Sequence, residues 1–197
     1  MSNYIEIRNK NDIVTINDDY KNLSFVKKQN GNEIVNNMGY IEIDSRIGVA
    51  AIAVSSPNVK ICRTDTCRVR VKNGDGNLVG QVLKVASGIE EKNSINVYYF
   101  NYVNKADGTV GIIVYNQKGE VVYNSNLKYL KILDIVTTAG TYQYSNKIAV
   151  FYHGNGGGGF NGNWAPLYAY LRFPSEYSFE LDLDPMMPVV VADIDGL

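Results

Sequence analysis

The sequence predicts an all-β protein made of two small β-sandwich-like domains related by an internal repeat. Three observations predict it. Apolar and polar residues alternate with period two in many short runs, and no window carries a capped apolar i, i+3, i+4, i+7 stripe. The 197 residues include 15 Tyr and 18 Gly, a bias toward pleated strands and turns. Residues 5–26 (IEIRNKNDIVTINDDYKNLSFV) also recur without a gap at 112–133 (IIVYNQKGEVVYNSNLKYLKIL), an offset of 107.

In the first copy, Ile5-Glu6-Ile7 reads as a half-buried strand. Asn11 and Asp12 then supply a turn, because both residue types tolerate the left-handed region. Asn17-Asp18-Asp19 makes a second turn before a third strand that holds Phe25 and Val26. The second copy follows the same plan. Asn116-Gln117-Lys118-Gly119 fits a type I turn, in which Asn bonds the turn backbone and Gly takes positive φ. Asn124-Ser125-Asn126 supplies its second turn. The identities Ile5/Ile112, Asn9/Asn116, Val14/Val121, Asn17/Asn124, Lys21/Lys128 and Leu23/Leu130 include turn positions. That favours duplication over the chance likeness of two hairpins.

Further along, Tyr40–Ile43, Arg68–Lys72 and Glu180–Leu183 alternate as strands, and Val49–Val54 is a continuous apolar run. Ser87–Lys92 fits one helical turn, and Val189–Ala192 fits a terminal strand after Pro188. A fainter echo matches Ser45–Val49 to Asn146–Val150, an offset of 101. The polar, turn-rich stretch Asn101–Thr109 divides the chain into domains 1–104 and 105–197.

Composition narrows the function. The formal net charge of −1 and pI of 5.9 argue against a nucleic-acid partner. The longest apolar runs fall far short of the ~20 residues a membrane span needs. The opening MSNYIEIRNK lacks the pattern of a secretory signal, so the expectation is a soluble protein made in the cytosol. A single His leaves little room for metal or triad chemistry, and neither a phosphate-binding loop nor a nucleophile elbow is present. Asp182/Asp184 and Asp193/Asp195 stand two apart, as on a solvated strand face, without calcium-loop spacing. We expect no catalytic residue, no metal and no cofactor.

Cys62 and Cys67 flank a four-residue turn. If Val59 pairs with Val71 and Ile61 with Val69, the two cysteines face opposite sides of a hairpin and cannot bridge. Two free thiols are expected. The same register places Lys60, Arg68, Arg70 and Lys72 on one face. This reads first as a solvated strand face that discourages edge pairing, and second as a dock for an acidic partner protein.

Residues 151–164 (FYHGNGGGGFNGNW) hold six Gly, too many for a central strand. They form a loop in which Tyr152, His153, Phe160 and Trp164 are the candidate binding residues. One reading is a surface that stacks on sugar or docks protein. The other is a hairpin loop whose aromatics cover the end of a sandwich.

The opening NYIEIRNKNDIVTINDDYKNLSFV and the mid-chain GIIVYNQKGEVVYNSNLKYLKIL resemble small tail-associated proteins of tailed bacteriophages. In that family a segment G-L-x-V-x-N-x-x-G-x-V-x-x-D-S opens a β-domain. Gly111, Ile112, Val114, Asn116, Gly119, Val121, Asn124 and Ser125 fit it, whereas Tyr4 and Asp12 depart from it in the first copy. The resemblance implies a virion tail protein, at the tail tip or fibre junction, assembled in the host cytoplasm and oligomeric in the particle. Its partners would be other phage tail proteins, with a host surface glycan or outer-membrane protein as a further contact. The alternatives are a carbohydrate-binding β-sandwich module stacking sugar on Tyr152, Phe160 and Trp164, and a β-fold hydrolase acting on surface polysaccharide.

Overall fold

A computed structural model of the chain describes residues 6–8, 14–17, 21–34, 40–44, 46–57, 60–62, 71–72, 78–84, 93–102, 110–151, 170–181 and 188–197. The fold is all-β. In chain order the strands are β1 (Glu6–Arg8), β2 (Val14–Asn17), β3 (Ser24–Asn30), β4 (Tyr40–Ile43), β5 (Val49–Val54), β6 (Lys60–Cys62), β7 (Val71–Lys72), β8 (Leu78–Lys84) and β9 (Ile95–Asn101). They continue as β10 (Ile113–Tyr115), β11 (Val121–Asn124), β12 (Lys131–Val136), β13 (Gly140–Gln143), β14 (Ile148–Phe151), β15 (Tyr170–Ser175), β16 (Ser178–Leu181) and β17 (Val189–Asp193). Gly31–Glu33 forms a single 3-10 turn, started by Asn30 and closed by Glu33 in a capping box.

The central element is an antiparallel sheet of order β12-β17-β14-β5-β9-β3. A second sheet, β13-β16-β15-β6, packs on one of its faces. Between them lies the main core. Ile52, Val54, Ile95, Val97, Tyr99, Val136, Ile148, Val150, Val189 and Val191 come from the large sheet, and Leu171, Phe173, Phe179 and Leu181 from the small one. β4 of the third sheet, β4-β8-β7, brings Ile43 against this cluster. Tyr99, Phe100, Phe173 and Phe179 are fully buried, each worth roughly 1.5–3 kcal/mol of burial.

The other face of the large sheet is also buried. Ala51, Ala53, Ala149 and Ala192 line it with Tyr98, Phe100, Phe151 and Ile194. Burial on both faces explains why Val49–Val54 reads as an apolar run instead of an alternating one. The sheet coils. Ser24 of β3 bridges to Tyr129, two residues before β12, with Phe25 N–H donating to Lys128 C=O and Leu130 N–H to Leu23 C=O. A flat six-stranded sheet would hold its edges ~24 Å apart, but this bridge brings the starts of β3 and β12 within about 13 Å. Leu23, Phe25 and Leu130 then pack on the alanine-lined face.

The strand order reads the same from both ends. Adding 107 to the residue numbers of the β1–β2 pairing gives the β10–β11 pairing, with the register shift at the equivalent place. Adding 107 on β3 and 92 on β9 gives β12–β17, again with an equivalent bulge: Val26 in one and Leu133 in the other. Adding 100 on β5 gives β14 against β17, and adding 100 on β4 and 97 on β8 gives β13–β16. The units meet where β5 pairs with β14 at Val150↔Ile52. The fainter sequence echo, at 101, misses this equivalence by one residue and would exchange the two faces of β14.

The boundary expected at 104/105 falls within residues 103–109, outside the described residues. The strands on either side of it share one sheet and one core, and β6 of the first part pairs with β15 of the second. Val189–Asp193 is the terminal strand the sequence predicts, and it sits inside the large sheet, between β12 and β14. Every pair of the expected 59–72 hairpin includes a residue outside the described set. β6 pairs with β15 (Lys60↔Arg172, Ile61↔Leu171) and β7 with β8 (Val71↔Gly80). Alternation fixes which residues share a face, but not which strand is the neighbour.

Candidate interaction surface

The residues singled out in the sequence are not brought together by the described structure. Lys60 stands in β6 and Lys72 in β7, and the residues that would join them in one hairpin face, Arg68 and Arg70, lie outside the described residues. Cys67, Tyr152, His153, Phe160 and Trp164 lie outside them as well. Ser87–Lys92 lies outside them too.

The described surface has its own distinctive feature, the outer edge of β12. Paired strand residues share a face. Ile132 opposes Ala192 and Ile135 opposes Val190, so both isoleucines sit at the rim of the alanine-lined face. They are 55% and 57% exposed, and the bulged Leu133 is 38% exposed. Asp134 opposes Val191 and points to the main-core side. Its Oδ2 accepts from Tyr144 Oη at 2.9 Å and its Oδ1 from Ile135 N–H at 2.8 Å. Burial, and then the Asp134 carboxylate, push the Tyr144 hydroxyl well above the ordinary tyrosine range. Tyr144 is therefore a standing donor that fixes Asp134. Lys131 Nζ lies 3.5 Å from Asp193 Oδ2, and Asn146 Nδ2 also donates to that oxygen at 3.0 Å.

The equivalent edge, β3, is dressed differently. Phe25 stands where Ile132 does, and it packs against Tyr98 and Phe100 with centroids 6.3 and 6.1 Å away. Lys28 stands where Ile135 does, with Nζ 5.4 Å from the Tyr98 ring. Lys27 stands where Asp134 does, 5.8 Å from the Tyr99 ring. Cationic side chains at an edge discourage further strand pairing.

The hairpin β10–β11 adds exposed apolar surface: Val110, Ile112 and Tyr115. Its turn is built as the sequence requires. Gly119 N–H donates to Asn116 C=O at 2.9 Å, Gly119 has φ +77°, and Asn116 Oδ1 accepts from Lys118 and Glu120 N–H. Glu120 reaches across to Lys21 Nζ at 3.2 Å. Hydrogen bonds from Asn116, and then Lys21, hold its carboxyl below the ordinary glutamate range.

Among the described residues, no group of three or more His, Cys, Asp and Glu could hold a metal ion, and no helix is long and apolar enough to cross a membrane. No protein-family model, curated protein or solved structure matches the chain.

The β12 edge was missed in the sequence because the recognised repeat stops at Val26/Leu133. The informative contrasts, Lys27/Asp134 and Lys28/Ile135, are the next two positions. They gain meaning only once both strands are known to be sheet edges.

Proposed function

We propose that the chain is a non-enzymatic virion component of a tailed bacteriophage, at the tail tip or fibre junction, that docks on neighbouring tail subunits. The observation that carries docking is the β12 edge, last in its sheet among the described residues, with Ile132 and Ile135 exposed on one side of it. Clustered apolar residues on a strand edge suit protein contact better than small-molecule chemistry. The likeness of the two hairpins to phage tail proteins supplies the setting. We further read the two parts of the chain as copies of one unit, which the shared registers at constant offsets support. Such a duplication frees one copy to keep a closed edge while the other acquires a contact.

The test is quantitative mass spectrometry of purified phage particles from a lysate that contains this chain. The expected result is a fixed, small copy number per particle that survives density-gradient purification. A chain found only in the soluble fraction would overturn the assignment.

A further inference from the structure

We infer that the outer edge of β12 takes an added β-strand from a different protein, and that this strand carries a basic residue between two apolar ones. This deepens the docking reading by naming the surface and the partner's chemistry. The backbone groups on the outer side of an edge strand are satisfied best by another extended chain. The side chains then select which chain. Ile132 and Ile135 lie on one side of β12 and Asp134 on the other, with Leu133 bulged out of the count. A partner strand therefore meets Ile132, Asp134 and Ile135 with three consecutive residues. Its first and third cover the isoleucines, and its second faces a carboxylate that Tyr144 holds in place. The nearest lysine on the strand, Lys131, is directed to Asp193 instead, at 3.5 Å.

The same pattern argues against a second copy of this chain. In an antiparallel self-pair, the register that sets Ile132 against Ile135 sets Asp134 against Asp134. Like charges directly opposite destabilise a strand pair. The register is thus suited to a basic partner and unsuited to itself. The β3 edge is the internal control, since Lys27 and Lys28 there would repel the same strand.

The test uses the full chain and two fluorescein-labelled peptides, Ser-Val-Thr-Ile-Lys-Ile-Thr-Val-Ser and its Lys-to-Glu counterpart, read by fluorescence anisotropy. The Lys peptide is expected to bind at least tenfold more tightly than the Glu peptide. Ile135→Lys should abolish binding with unchanged melting, and Asp134→Lys should reverse the peptide preference. Failure of the Lys peptide to bind, equal binding of the two peptides, or undiminished binding to Ile135→Lys would each overturn the inference. So would a wild-type dimer in sedimentation that Ile135→Lys returns to monomer, because the occupant would then be a second copy. Peptide binding needs no particle, so this inference and the virion assignment fail separately.

Discussion

β3 and β12 hold the same place at opposite edges of one sheet, are bulged at equivalent residues, and differ in what stands beside them. Next to β3 the inner strand presents Tyr98 and Phe100. Next to β12 the inner strand presents Val190 and Ala192 at the equivalent positions. Large neighbours give the edge side chains something to cover. Phe25 packs on both rings, and the Lys28 stem and ammonium lie over Tyr98. Small neighbours leave Ile132 and Ile135 standing clear of the surface. Whether an edge is closed or open is thus set largely by the strand behind it.

The largest effect should come from removing that backing at the closed edge. Phe100→Ala takes away a fully buried ring that touches Phe25 and Phe151. Urea unfolding should show a loss of about 3–5 kcal/mol, while Ile132→Ala, on the open edge where Phe25 stands in the closed one, should cost less than ~1 kcal/mol. Equal losses would break the comparison. A smaller effect is expected for Lys28→Met. Losing the cation over Tyr98 should cost roughly 0.5–1 kcal/mol, and light scattering should rise with protein concentration as the edge loses its guard.

The smallest effect concerns the Lys21–Glu120 tie between the segment before β3 and the β10–β11 hairpin. A depressed carboxyl contributes stability that is present above its unfolded pKa and lost as pH falls through the folded one. For Glu120 that window lies below the ordinary value of 4.5. NMR titration should place its midpoint there, and Asn116→Ala should raise it. A midpoint unmoved by that substitution would show that the turn asparagine does not hold the carboxylate.

Much of the fold was legible as local pattern. Tyr40–Ile43 alternates and forms β4, and the turn at Asn116–Gly119 closes with the bond its residues predict. The hairpin repeat also reappears in matching registers. Partnership was not legible. Lys60–Cys62 pairs with β15, far along the chain, and nothing in an alternating run names such a neighbour. The candidate surface was hidden for a related reason. Ile132, Leu133 and Ile135 look like core residues in an apolar run. Only the sheet order shows that β12 is last in line, and only Val190 and Ala192 behind it explain the exposure.

The strand order also sets a timetable for synthesis. β9 lies between β5 and β3, so that side of the large sheet can assemble once Asn101 has been made. β17 lies between β12 and β14. The other side must therefore wait for Val189–Asp193, while Ile132, Leu133 and Ile135 have already been exposed for more than fifty residues of translation. At roughly 5–20 residues per second, that is a delay of seconds. The nascent chain thus carries its open edge unpaired, while the half of the sheet made first already has Lys27 and Lys28 on its outer strand.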